Sequence, residues 1–457
     1  MLKTYILSLS ILALTAISAK AFEAGGIFYE PLNATDCMVT YPSSGNYTGE
    51  LTIPATVSNG GTDYNVTGIG DYAFAGASTV TSITLPATVK AAGRNAFEGC
   101  AALTSLTLPA AVDAIEEQTF YNCTALKSVG ISGVKSIGKG AFGNCSSLSS
   151  ISLSTSLTQI GDVAFQNCRS LKEVSLPAGV RMAKAVFEGC ISLQKISLPS
   201  SLYELPEYTF SGCSSLQEVA NTGNLTEIGA YAFNGCSSLS AFIFPASIRQ
   251  INTNAFTLCT SLESVTIKGS DITIGDFAFT GCKLLKTVEL EGVYAIGEEA
   301  FSNCQALTTI LMGHDIKTIG NRAFRDCPEI QLVQVEATIP PTLSSTAFSR
   351  INYTDATLMV SYTLLQVYTQ TPPWSEFLNI MELPEASVAE ISGDIPEIKV
   401  AAGEIVITNA SGIIRIHDLQ GRTVYQTESQ GTASFTPAAP GIYIVNAGGR
   451  ALKVKVQ

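Results

Sequence analysis

Twelve cysteines, two histidines and two adjacent glutamate pairs are the residues of this 457-residue chain whose types invite chemistry. Eleven of the cysteines obey one rule, each standing three residues after a phenylalanine: Cys100, Cys123, Cys145, Cys168, Cys190, Cys213, Cys236, Cys259, Cys282, Cys304 and Cys327. Disulfides within such a row conflict with geometry. Equivalent residues of stacked units lie about 4.8 Å apart with parallel Cα–Cβ vectors, whereas a disulfide needs Cβ atoms about 3.8 Å apart and turned toward each other. Eleven is also odd, so the row cannot pair completely. No Cys-x-x-Cys pair and no neighbouring histidine offers a zinc set. Buried free thiols acting as small hydrophobes fit the row best.

The other candidates for chemistry are isolated. His314 and His417 are about a hundred residues apart and fall in different expected domains. On a strand, His417 shares a face with Arg415, opposite Ile414 and Ile416, which makes it a solvated sheet residue rather than a general base. Glu116-Glu117 and Glu298-Glu299 suggest paired carboxylates for sugar hydrolysis, but adjacent residues rarely converge on one bond. Gly-x-Ser-x-Gly, His-Glu-x-x-His, phosphate-loop and dinucleotide fingerprints are absent from the sequence. The chain reads as non-enzymatic, with no catalytic residue, no cofactor and no metal site.

The cysteines belong to a repeat. Phe74, Phe97, Phe120, Phe142, Phe165, Phe187, Phe210, Phe233, Phe256, Phe279, Phe301, Phe324 and Phe348 recur every 22 to 24 residues. A period of that length marks a solenoid of stacked units. One unit runs from Ile160-Gly161 through Phe165, Cys168 and Leu171 to Val174-x-Leu176 and Pro177. Ile-Gly reads as a turn, Phe, Cys and Leu at offsets of three as a tight arc, and Val-x-Leu as a strand of period two. Pro86, Pro109, Pro177, Pro199 and Pro245 close such strands because proline has no N–H for the ladder. A strand plus a tight arc is the plan of a leucine-rich repeat. With 46% hydrophobic and 14% charged residues, stacking would bury one continuous core. The first and last units carry Ala77 and Ile351 in place of cysteine, as terminal repeats lacking a neighbour should differ.

The ends depart from the period. Residues 1–21, with Lys3, an apolar run from Tyr5 to Ile17 and Ala19-Lys20-Ala21, read as a secretory signal cleaved after Ala21. Its removal takes the formal charge from −12 to −14, since Lys3 and Lys20 leave. That charge argues against nucleic acid and anionic lipid as partners, and no later stretch is long enough to insert in a bilayer. Residues 22–66 read as an N-terminal β cap and 67–383 as the solenoid with its C-terminal cap. In that second cap a strand near Leu358–Val360, a short helix over Thr363–Tyr368 and Trp374 plugging the last unit are expected. A linker, 384–395, precedes a small all-β sandwich over 396–457. Its expected strands are Ile405–Thr408, Ile413–His417, Thr423–Tyr425, Ile442–Val445 and Leu452–Val456, with turns at Ser411-Gly412, Gln420-Gly421, Pro440-Gly441 and Gly448-Gly449.

The run Tyr64-Asn65-Val66-Thr67-Gly68-Ile69-Gly70-Asp71-Tyr72-Ala73-Phe74, followed by ten Cys-x-x-Leu and one Cys-x-x-Ile, resembles the BspA-type leucine-rich repeat family over residues 25–383. That resemblance implies a secreted or surface protein adhering to host extracellular-matrix proteins and other cells, and it transfers no ligand residue. The C-terminal segment resembles the type IX secretion sorting domain, through Ile414-x-Ile416-x-Asp418-x-x-Gly421, Pro440-Gly441-Ile442-Tyr443-Ile444-Val445 and Lys453-Val454-Lys455-Val456. This resemblance implies export across an outer membrane, to an extracellular or outer-surface location with the periplasm as fallback.

In each strand the residues flanking the buried position point outward. Ser105/Thr107, Ser128/Gly130 and Ser150/Ser152 begin the rows with hydroxyls. Glu173/Ser175, Lys195/Ser197 and Glu218/Ala220 bring charge. Ala241/Ile243, Ser264/Thr266, Thr287/Glu289, Thr309/Leu311 and Leu332/Gln334 lead to exposed apolar residues. Glu173, Lys195, Glu218, Ile243, Glu289 and Leu311 are the expected binding patch, engaging an extended extracellular protein through many weak contacts. A glycan-capturing or structural envelope component is the alternative, weakened by the lack of aromatic residues on these strands.

Overall fold

Two parallel ladders, not one, wind through the computed structural model, which describes residues 21–383 and, from 397 to 456, all but 402–403, 419–421, 440 and 448–449. The expected leader, but for Ala21, and the expected linker lie outside the described residues. The first ladder comprises the predicted strands, such as Glu173–Ser175, Lys195–Ser197 and Glu218–Ala220, paired residue for residue. The second runs through two-residue strands: Ala114–Ile115, Ser136–Ile137, Gln159–Ile160 and Arg181–Met182 pair in sequence. The Ile of Ile-Gly is therefore the inward residue of a strand, and only the residues after it turn. Two residues are too few to show a period, so this ladder leaves no alternation to read.

Between the ladders the chain turns about each phenylalanine, and the turns are bonded within and between units. Cys100 N–H donates to Phe97 O at 3.1 Å and Leu103 N–H to Cys100 O at 3.1 Å, while Phe97 N–H reaches into the next unit to Thr119 O at 2.8 Å. The phenyl rings stack along the whole array, with centroids from 4.9 Å (Phe233 and Phe256) to 5.8 Å (Phe187 and Phe210) apart. The proline after a strand opens a tight turn whose third following N–H returns to its carbonyl, as Val112 does to Pro109 at 2.9 Å.

Two expected strands are not paired. Residues 150–152 lie next to Gly130, and their own outward residues are serines, so cross-strand packing is slight there. Their flanking bonds lengthen to 3.3 Å (Ser149 to Lys127) and 3.4 Å (Lys172 to Ser149). At 241–243 the inward residues are Phe242 and Phe244, packed edge-on around Phe256 where other units carry aliphatic side chains. Rings of that size hold the segment off its neighbours. The rows also do not end in exposed apolar residues as expected. Leu332 is only 1% exposed, between buried Thr309 and Thr357 with which it is in register, and Leu311 is half-buried.

Each cap lends strands to the ladders. Gly49–Thr52 pairs with Val80–Thr84 at the start of the first, and Thr62–Ile69 pairs with Ala91–Ala92 at the start of the second. Behind the latter strand lies a sheet of Phe22–Ala24, Ile27–Pro31, Asp36–Thr40 and Thr56–Asn59. At the far end Thr357–Ser361 and Asn379–Leu383 continue the first ladder. The expected short helix is a 3-10 turn, Tyr362–Leu364, running into an α-helix, Leu365–Gln370. Trp374 is fully buried, its Nε1–H donating to Pro341 O at 2.8 Å, so the ring plugs the last unit.

The C-terminal segment is all-β, as expected, around Ile405, Ile407, Ile414, Ile416, Val445 and Val456. Its strands are longer than expected. Ser411-Gly412 is no turn but lies inside one strand, Glu404–His417, which pairs with Thr423–Phe435. A register shift between Ile407 and Ala410 bends that strand, and bending keeps both of its apolar halves on the same core.

Candidate interaction surface

The outer face of the first ladder carries the expected patch in two rows. Glu173, Lys195 and Glu218 are successive register partners in one row, and Lys195 Nζ pairs with Glu218 Oε2 at 3.0 Å. Glu289 and Leu311 are register partners in the other row. They line a surface groove of about 340 Å³ together with Lys268, Glu291, His314 and Glu336. Ile243 stands between the two groups, on the unit whose strand is broken, and 77% of its surface is exposed. The structure thus joins three of the six residues at one place and two at another. The hydroxyl-rich beginning is also concave: Ser82, Thr84, Ser105 and Thr107 border a shallow depression.

Charge on this array is settled between neighbouring units. Lys135 meets Asp113 at 3.3 Å, Lys184 meets Glu207 at 2.7 Å, Lys286 meets Glu263 at 3.1 Å and Arg322 meets Glu299 at 3.3 Å. Exposed pairs of this kind are worth about 0–1 kcal/mol each. They hold little of the fold, but they break the surface into alternating signs that a partner could match. His314 is bound to Glu336 through both ring nitrogens, at 2.9 Å to the carbonyl and 3.3 Å to the carboxylate. His417 contacts the hydroxyl of Thr423, and Arg415 beside it reaches Gln426, on the face opposite buried Ile414 and Ile416.

The thiols lie deep inside. All eleven of the ladder are buried, and burial pushes Cys145, Cys190 and Cys282 up to about 12. At neutral pH these three thiols stay protonated, the form that is a poor nucleophile. They are more than small hydrophobes, however. Each Sγ donates to the carbonyl of the phenylalanine one unit earlier, as Cys213 does to Phe187 O at 3.1 Å.

Exposed tyrosines away from the first ladder are not among the residues the sequence singles out. Tyr41, Tyr72, Tyr203 and Tyr208 are all exposed. Tyr208 stacks on Tyr231 with centroids 4.7 Å apart. A signal is nevertheless present, because Tyr72, Tyr208 and Tyr231 each stand two residues before a repeat phenylalanine.

Comparison with known proteins agrees with this architecture. The description "BspA type Leucine rich repeat region (6 copies)" matches residues 58–172, 135–263, 181–291 and 249–369. A leucine-rich repeat protein of Bacteroides ovatus is 28% identical, covering 79% of this chain and 91% of its own, with a TM-score of 0.66. A leucine rich cell surface protein of Faecalibacterium prausnitzii is 26% identical over 79% of this chain and 98% of its own, with a TM-score of 0.43. No curated protein matches the chain. The matched segments together run through most of the sequence, from the end of the first cap into the second, and the chain belongs to the BspA-type leucine-rich repeat family.

Proposed function

We propose that this chain is a non-catalytic module of the cell surface or extracellular space that binds an extracellular protein through the outer face of its first ladder. The exposure of Ile243 carries this reading, because a large aliphatic side chain held open to water beside register-aligned charges suits the centre of a contact surface. The two charged groups flanking it would orient the partner, and the rim-like ion pairs would tune its approach. Among the described residues no helix is long and apolar enough to cross a membrane. We further propose that the C-terminal segment acts as a sorting domain in display, a reading supported by its Ile414-x-Ile416-x-Asp418-x-x-Gly421 and Pro440-Gly441-Ile442-Tyr443 motifs.

The test is saturable binding of the full chain to immobilised extracellular-matrix proteins. Ile243→Glu should weaken binding at least tenfold while leaving the melting temperature unchanged, because the residue touches solvent rather than core. Absence of any saturable protein signal would remove the reading. Deleting residues 396–457 and measuring surface exposure on intact cells tests the sorting role, which unchanged exposure would contradict.

A further inference from the structure

We propose that the cleft between the N-terminal cap and the first units of the second ladder binds a neutral glycan, with Tyr41 and Tyr72 as its stacking surfaces. The cleft encloses about 620 Å³, within the range of about 300–1,000 Å³ usual for small-ligand sites. It opens on the second ladder, away from the face assigned to a protein partner, so the two proposals stand or fall separately.

The floor is low because its residues are small. Ala114 occupies the outward position that its register partners fill with Ser136, Gln159 and Arg181. Ala91 and Gly93 leave the same space one unit earlier. Gly93 has no alternative: a Cβ there would lie 2.3 Å from Asp71 Oδ1 and 2.6 Å from Asp71 N. Above this floor Tyr41 is 63% exposed and Tyr72 52% exposed. Two open aromatic rings beside a floor that includes Ala91, Gly93 and Ala114 give a sugar ring a surface for its C–H face and room to lie against it.

The polar groups suit hydroxyls better than a formal charge. Glu30, Asp71, Asp113 and Glu116 supply carboxylates, Asp113 already meeting Lys135 at 3.3 Å, and Lys90 and Arg94 supply donors, so both signs are interleaved. Asp71 Oδ1 already accepts the N–H of Arg94 at 2.8 Å. That bond fixes the carboxylate and leaves its second oxygen as an acceptor. Vicinal hydroxyls can donate to such carboxylates and accept from the lysine and arginine. A polyanion would meet the carboxylates.

The experiment is isothermal titration of the full chain with cellohexaose, xylohexaose, mannohexaose and lacto-N-tetraose, alongside heparin and an Arg-rich peptide. At least one neutral oligosaccharide should bind saturably. Tyr41→Ser and Tyr72→Asn should each weaken it tenfold or more. Asparagine is chosen because Tyr72 has φ +58°, a backbone conformation asparagine tolerates better than tyrosine, so the fold is not at risk. Tyr208→Asn, in another unit at the same left-handed conformation (φ +59°), and Ile243→Glu should leave the glycan signal intact. The proposal is overturned if no neutral oligosaccharide binds, if heparin or the peptide alone binds, or if binding survives both tyrosine substitutions with the fold intact.

Discussion

The repeated cysteine is explained by one carbonyl oxygen. The oxygen of Phe187 takes the N–H of Cys190 at 3.1 Å, and its other lone pair would be left unmet in a dry core. The thiol of Cys213, one unit later, fills it at 3.1 Å. The first unit has no predecessor, so Ala77 there has no such carbonyl to serve. Protonated thiols are thus part of the folded state, and pH should expose this. Cys145, Cys190 and Cys282 titrate near 12 when folded, against about 8.5 in an unfolded chain. Above about pH 8.5 the unfolded chain releases protons that the folded chain keeps, so stability is complete below that pH and falls as pH rises toward 12. Urea midpoints should be level through pH 8 and drop steeply by pH 10.5; a level profile throughout would contradict the thiol's role. A second residue-scale feature lies two positions after phenylalanine, where the backbone is left-handed and glycine or asparagine is the rule. Leu258 breaks it at φ +61°. Leu258→Gly should stabilise the chain by about 0.5–1 kcal/mol, since the residue is exposed and the strain of about 1–2 kcal/mol is relieved against some added chain entropy. Its denaturation midpoint should rise.

At the scale of elements, the long strands Ser264–Ile274 and Thr287–Ile296 carry pairing around a corner that proline turns close in several other units. The corner works because Gly269 and Gly292 stack backbone on backbone. Gly292 has φ +78°, and a Cβ on it would lie 2.0 Å from the oxygen of Gly269. Gly292→Ala should therefore cost about 3 kcal/mol or more, strain and collision together. Hydrogen exchange should show the loss concentrated in those two strands and their neighbours, as expected for units held mainly by adjacent units; an unaffected midpoint would refute the close approach. The strands of the first ladder are legible where Val or Ile alternates with polar residues, except at 150–152, where the alternation is present but the serines beside Gly130 give little cross-strand packing. They fail at 241–243 because Phe242 and Phe244 keep the inward pattern while exceeding the space. Alternation reports which way a residue faces, not whether it fits.

For the whole molecule, stacking leaves two exposed core ends, and the caps close them. Trp374 is the largest side chain of the C-terminal closure, with Tyr368 edge-on at 5.6 Å and Phe377 beside it at 6.2 Å. Trp374→Ala should destabilise by about 3–5 kcal/mol and unzip the last units before the first. Limited proteolysis should then cut after residue 300 first, and uniform cleavage along the array would argue against directional fraying. The N-terminal closure has a second consequence: it adds strands to both ladders, and the concave space beside Tyr41 and Tyr72 lies between the cap and the first units.

The sequence alone determined the repeat, its core and its family, because a period of 22 to 24 residues states the same packing problem thirteen times and admits one solution. Tertiary structure decided what no window of the chain contains. Pairing across units made strands of two residues, burial by neighbours removed Leu332 from the outer face, and the meeting of cap and solenoid brought Tyr41 to Tyr72. The physical reason is common to all three: register between distant segments sets them, and local side-chain pattern carries no information about a surface that exists only after stacking.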